Sequence, residues 1–119
     1  MRNYNSNVFD ILVDQGATLN RALFVKNSAK RAIDLEGYTG RMHIRDYTDS
    51  SVVVQTLTSD NNEILISPFD GRIDIFLSPT KTADLLAKNY VYDLELESEG
   101  GEVTKILSGK LTVRSEITY

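Results

Sequence analysis

The chain has 119 residues, of which 41% are hydrophobic; 13 Lys or Arg and 17 Asp or Glu leave a net charge of −4. That length holds one domain with a single core and is short for two. Scattered charges with an acidic balance exclude the basic stripe of a nucleic-acid binder, and the absence of cysteine excludes disulfides, thiolate metal sites and cysteine catalysis.

Met1-Arg-Asn-Tyr-Asn-Ser-Asn7 is polar and lacks the apolar centre of a signal peptide, and no apolar run approaches a membrane span. Residues 1–7 are read as an N-terminal arm and 8–119 as a single β domain made in the cytoplasm, with no membrane partner. Val8 to Val13 is a first apolar run closed by Asp14-Gln-Gly16, and Thr18 to Lys26 is a second. Asn27 to Arg31 is a polar turn, and Ile33-Asp-Leu35 a short extended piece. Tyr38 to Asp46 alternates: Tyr38, Gly40, Met42 and Ile44 face inward, whereas Arg41, His43 and Arg45 face outward. A turn at Tyr47 to Ser51 leads to the β-branched run Val52 to Leu57, and Ser59-Asp-Asn-Asn62 is a strong turn signal.

Glu63 to Ser67 and Arg72 to Leu77 are short strands around Pro68-Phe-Asp-Gly71, a hairpin linker with a left-handed glycine. Their inward residues are Ile64, Ile66, Ile73, Ile75 and Leu77. Ser78 caps and Pro79 opens a helix predicted over Thr80 to Lys88, with Ala83, Leu86 and Ala87 near one face and Asn89 ending it in a left-handed conformation. The cleanest alternation follows. Tyr90, Tyr92, Leu94 and Leu96 fall on one face of a strand, and Val91, Asp93, Glu95 and Glu97 on the other. Beyond the turn Ser98-Glu-Gly-Gly101, Val103 to Leu107 and Lys110 to Ile117 make a strand pair, or one bulged strand interrupted at Ser108-Gly109. Strands at this spacing, with turn signals about every ten residues, predict an all-β, immunoglobulin-like antiparallel β-sandwich of about eight strands with one short helix.

No catalytic, cofactor-binding or metal-ligating set emerges. His43 is the only histidine and has no nucleophile elbow to serve. Asp93, Glu95 and Glu97 at spacing two on a flat strand do not surround an ion. The basic row Arg41, His43, Arg45 and this acidic row are expected to pair across the sheet if their strands are neighbours, each pair contributing about 0.2–1 kcal/mol; the basic row is also a candidate contact surface. Val8, Phe9, Ile11 and Val13 are candidate partner-contact residues, because this run is apolar on both faces; the alternative is burial on both faces within the monomer. Tyr90 or Tyr92 is expected to bond back to the preceding loop, as at a tyrosine corner. Tyr47 with Asp46 and Asp49, and Phe69 with Asp70, are loops where a sugar-binding site would lie.

Several pieces, in order, resemble small structural proteins of tailed bacteriophages: Asp14-Gln-Gly-Ala-Thr-Leu19; Ile33-Asp-Leu-Glu-Gly-Tyr-Thr-Gly-Arg-Met-His-Ile-Arg45; Gly71-Arg-Ile-Asp-Ile-Phe-Leu-Ser78; Thr82-Ala-Asp-Leu85; Tyr90-Val-Tyr-Asp-Leu-Glu-Leu96; and Leu107-Ser-Gly-Lys-Leu-Thr-Val113. The plan is similar to the N-terminal β-sandwich domain of phage upper baseplate proteins. The resemblance implies a non-enzymatic virion protein, without cofactor, that docks on other tail, baseplate, neck or fibre proteins, as a homo-oligomer or ring in the particle. The chain stops at Tyr119, right after the sandwich, which favours an adaptor over a receptor reader. A capsid decoration protein is the structural alternative, and a carbohydrate-binding β-sandwich module the alternative of another class.

Overall fold

Alternation decides where the strands lie. In β4 (Thr39–Arg45) and β8 (Asn89–Glu97) every second side chain is buried, and the two pair antiparallel with Met42 opposite Leu94 and Ile44 opposite Tyr92. The computed structural model describes residues 7–26, 31, 33–47 and 50–115. The readings for residues 1–6 of the N-terminal arm, for Asn27 to Lys30, for Asp49 and for Glu116 and Ile117 lie outside the described residues.

Two sheets face each other. The larger holds β1 (Asn7–Val8) and β2 (Ile11–Asp14) side by side with β9 (Val103–Arg114), then β8, β4 and β5 (Val53–Thr58). The smaller is β3 (Leu19–Phe24), β7 (Arg72–Leu77) and β6 (Ile64–Ser67), all antiparallel. Met42, Ile44, Leu57, Leu94 and Leu111 from the first sheet meet Ile64, Ile73, Ile75 and Leu77 from the second, each fully buried. Leu35 and Leu85, from the connections, complete the core. Such burial stabilises by roughly 1.5–3 kcal/mol per large aliphatic side chain. The molecule is an all-β, immunoglobulin-like sandwich.

Several details depart from the sequence reading. The first strand joins the sheet parallel to β9, not antiparallel, because first and last strands run the same way; Asn7 already pairs with Leu107 and so belongs to the sheet rather than to the arm. It is also broken: between β1 and β2, Phe9 and Asp10 leave the ladder. The last strand is one bulged strand, the second of the two readings given for it, but its bulge is at Ile106 rather than at Ser108-Gly109. The register against β8 passes from Leu94 opposite Leu107 to Glu95 opposite Lys105, so Ile106 is the extra residue and lies buried beside Leu107.

The helix α1 (Pro79–Ala83) is shorter than predicted. Ser78 caps it as expected, its hydroxyl accepting from Lys81 N at 3.3 Å. It stops because Thr82 and Leu85, not Leu86, face the core; Thr82 Oγ1 donates to Ala17 O at 2.7 Å, and the chain turns at once into β8. Asn89 is the first residue of β8; the described non-glycine residue with positive φ is Asn62, at 65°, in the turn before β6. Gly71 (φ 62°) closes the β6–β7 hairpin, where its carbonyl accepts from Val25 N at 2.8 Å and a Cβ would collide with the end of β3.

Candidate functional site

The β4–β8 register brings the two charged rows together on the outer face of the larger sheet. Arg41 stands opposite Glu95 and bonds it at 2.9 Å; Arg45 reaches diagonally to Asp93 at 3.3 Å. His43 is directly opposite Asp93, but its Nδ1 lies 3.4 Å from Arg45 Nη2, while Lys105 Nζ approaches Asp93 at 3.8 Å. These charges neutralise one another on a half-exposed face, where ion pairs contribute about 0–1 kcal/mol each. The result is a charge-balanced surface. A shallow concavity of about 680 Å³ crosses it, lined by Asp10, Arg45, Ser50, Asp93, Lys105 and Lys110 among others. No three His, Asp or Glu among the described residues are grouped so as to hold a metal ion. No helix among them is long and apolar enough to cross a membrane.

The first strand divides its residues between two environments. Ile11 and Val13 point into the core, 1% and 6% exposed, so neither offers a surface to a partner, correcting the sequence reading. Val8 and Leu12 point outward, 76% and 49% exposed, so the run is not buried on both faces within the monomer. Phe9 is half-buried, with the Arg21 guanidinium carbon 5.0 Å from its ring centre.

The break at Phe9 is held by three contacts. Phe9 N donates to Ser108 O at 2.8 Å, Lys110 N donates to Asp10 Oδ1 at 3.0 Å, and the Tyr92 hydroxyl donates to the Phe9 carbonyl oxygen. Tyr92 sits opposite Gly109 on the inner side of the sheet, and the missing side chain there makes room for the Phe9 carbonyl, whose carbon is 2.8 Å from where a Cβ would be. Burial first, and the Asp10 carboxylate second, push the Tyr92 hydroxyl well above the ordinary tyrosine pKa, with Arg21 acting the other way. Tyr90 makes the corner bond: its hydroxyl accepts from Leu86 N, four residues upstream, at 2.8 Å. Lys88 Nζ lies 5.1 Å from the Tyr90 ring centre and also pairs with Asp46 at 2.7 Å.

The outer face of the smaller sheet carries apolar side chains that the sequence reading missed as a group. Phe24, Leu65 and Phe76 stand there, 56%, 52% and 39% exposed, around the Arg72–Asp74 ion pair at 3.1 Å. Each lies at the outward phase of its strand, the signal that would have found them. Of the sugar-site loops, Phe69 (73% exposed) adjoins Asp70 in the β6–β7 turn and Tyr47 is 65% exposed beside Asp46.

No protein-family model matches the chain, and no curated protein is significantly similar to it in sequence. Among solved structures, extracellular domains 3–5 of Drosophila OTK superpose with a TM-score of 0.41 at 10% identity, covering 95% of this chain and 34% of that one. A chain from the complex of ICOS with ICOS-L and an anti-ICOS-L VNAR domain gives 0.40 at 13% identity, covering 93% and 56%. The chain thus spans a third to just over half of the length of these structures.

Proposed function

We propose that the chain is a non-enzymatic structural protein of a tailed-bacteriophage particle, an adaptor of the tail, baseplate or fibre attachment that acts through protein–protein contacts. The phage assignment rests on the ordered sequence pieces set out above. The observation that carries the contact role is the surface of the sandwich. Among the described strands, β1, β2, β3, β5 and β6 each pair on one side only, and Phe24, Leu65, Phe76, Val8 and Leu12 stand exposed on or beside these edges. Open edges and exposed apolar side chains are what a rigid module offers to a neighbouring sheet or shell. The charge-balanced β4–β8 face, including Arg41, His43 and Arg45, is a second contact surface in this reading.

Quantitative mass spectrometry of purified virions, with heads and tails separated, tests it. The chain is expected at low copy number in the tail fraction. High copy number in heads moves the assignment to capsid decoration, and absence from both fractions overturns the structural role.

A further inference from the structure

The register of the smaller sheet sets out its outer face in rows. Ala22, Asp74 and Leu65 stand abreast on β3, β7 and β6, and Phe24, Arg72 and Ser67 form the next row. The residues between the rows, Leu23, Ile73 and Ile66, turn toward the core, so both rows lie on the outer side. Each strand thus shows one larger and one smaller side chain about 7 Å apart: Phe24 and Ala22, Leu65 and Ser67, Arg72 and Asp74. Arg72 and Asp74 are the only charges in the two rows. Arg72 Nε lies 3.2 and 3.1 Å from the two Asp74 carboxylate oxygens, and its Nη2 lies 3.1 Å from Oδ1. Its guanidinium carbon is 6.0 Å from the centre of the Phe24 ring.

A partner that fits this face needs an anion over Arg72 and a cation over Asp74 at the same spacing. It also needs smaller side chains over Phe24 and Leu65. The face carries that pattern itself, inverted about the level of Ile73.

We propose that the outer face of the smaller sheet is a self-association surface, on which two copies of the chain pack sheet to sheet about a twofold axis. The inference deepens the protein-contact reading above by naming one partner. The charges choose the axis. One lying along β7 would set Arg72 on Arg72 of the second copy and Asp74 on its Asp74. One crossing the strands at Ile73 sets Arg72 over Asp74 of the second copy and Asp74 over its Arg72. The same rotation sets Phe24 over Ala22 and Leu65 over Ser67, so large side chains meet small ones in all three columns. The two intrachain ion pairs then join in an alternating square of four charges. Phe76, three positions from the axis, comes level with the second copy's β6–β7 turn, where Phe69 is 73% exposed.

The size of the face sets the strength of the contact. Three strands about 4.8 Å apart and six residues long cover roughly 300 Å² on each copy. That belongs with small interfaces, below about 1,200 Å² in total, and makes the dimer a reversible one with a Kd on the order of 0.1 mM.

Sedimentation equilibrium of the full chain, up to about 1 mM, tests the proposal at the expected Kd. Arg72→Asp and Asp74→Arg each place like charges over one another at every position of the square. Each is expected to weaken self-association by about tenfold or more while keeping a near-wild-type Tm, because both positions face outward. Mixing the two single variants brings opposite charges together again. Native mass spectrometry is expected to show a heterodimer about tenfold or more tighter than either variant's own dimer. The double variant Arg72→Asp/Asp74→Arg is expected to recover the wild-type homodimer.

A wild-type chain that stays monomeric throughout overturns the proposal. So do single variants that associate as the wild type does, or a mixture that forms no heterodimer. A chain monomeric in solution yet present in the tail fraction of virions leaves the adaptor role standing and removes this inference alone.

Discussion

Replacing Tyr92 by Phe removes one hydroxyl from a core position that is 3% exposed and leaves the ring in place. The lost group is the donor to the Phe9 carbonyl, which sits over Gly109 and faces the interior. A typical intramolecular hydrogen bond contributes about 1 kcal/mol, and an acceptor left unsatisfied costs about 1–3 kcal/mol. Phe9 is only half-buried, so the lower part of that range applies, and a total of about 1–2 kcal/mol is expected. At roughly 4 °C per kcal/mol for a domain of this size, Tm falls by about 4–8 °C. Urea titration should show a lower midpoint at unchanged m-value, and hydrogen exchange should place the loosening at Phe9 and Ile11 rather than in β4. The same hydroxyl sets an alkaline limb. Its folded-state pKa is raised, so its contribution is complete below the ordinary tyrosine pKa of about 10 and declines as pH rises above it, because only the unfolded chain then gives up the proton. The wild-type urea midpoint should fall more steeply than that of Tyr92→Phe above this pH. A Tm change under about 1 °C, with parallel alkaline limbs, would refute the role given to this bond.

Three further substitutions probe the same frame. Gly109→Ala places a methyl group against the Phe9 carbonyl; it should strip exchange protection from Phe9 N and the β1 amides while the β4–β8 ladder keeps its own. Tyr90→Phe removes the acceptor for Leu86 N and should cost about 1 kcal/mol by thermal melting. Lys81→Met leaves the Glu63 carboxylate, 6% exposed and bound by Lys81 at 2.7 Å, without its counter-charge. Breaking a fully buried pair costs about 3–5 kcal/mol; because Lys81 is itself partly exposed, about 1–2 kcal/mol is expected, and Glu63→Gln in the same background should recover most of it.

Legibility in the sequence followed the range of the forces involved. Strands β4, β7 and β8 were readable because each has one face in the core and one in water, and their side chains record that alternation. The facing charged rows were readable for the same reason: Arg41 and Glu95 each lie at the outward phase of their own strand. Other features depend on partners distant in the chain. Val8 to Val13 is apolar at every position but Asp10, and only its pairing with β9 shows that Ile11 and Val13 turn inward while Val8 and Leu12 do not. Ser108-Gly109 looked like a break; Gly109 is instead the clearance for a carbonyl one hundred residues earlier in the chain. The bulge at Ile106 carried no local signature, since a buried isoleucine next to a buried leucine reads like any core strand. The helix prediction overran because apolar spacing continued through Ala87, whereas the Tyr90 hydroxyl takes the Leu86 N–H and the backbone turns away.

The parallel pairing of first and last strands governs how the domain bears load. Asn7 pairs with Leu107 and Asp14 with Arg114, so the described chain enters the sandwich at one pole and leaves at the other, separated by the length of the shared ladder, about 23 Å. Tension applied between those points pulls β1 and β2 against β9 along their common axis. The ladder bonds of that pair are then sheared together rather than peeled one at a time, and the Phe9 latch lies in the middle of the stretch that must slip first. A domain strung this way between two neighbours is stiff along its length and transmits a pull without unzipping.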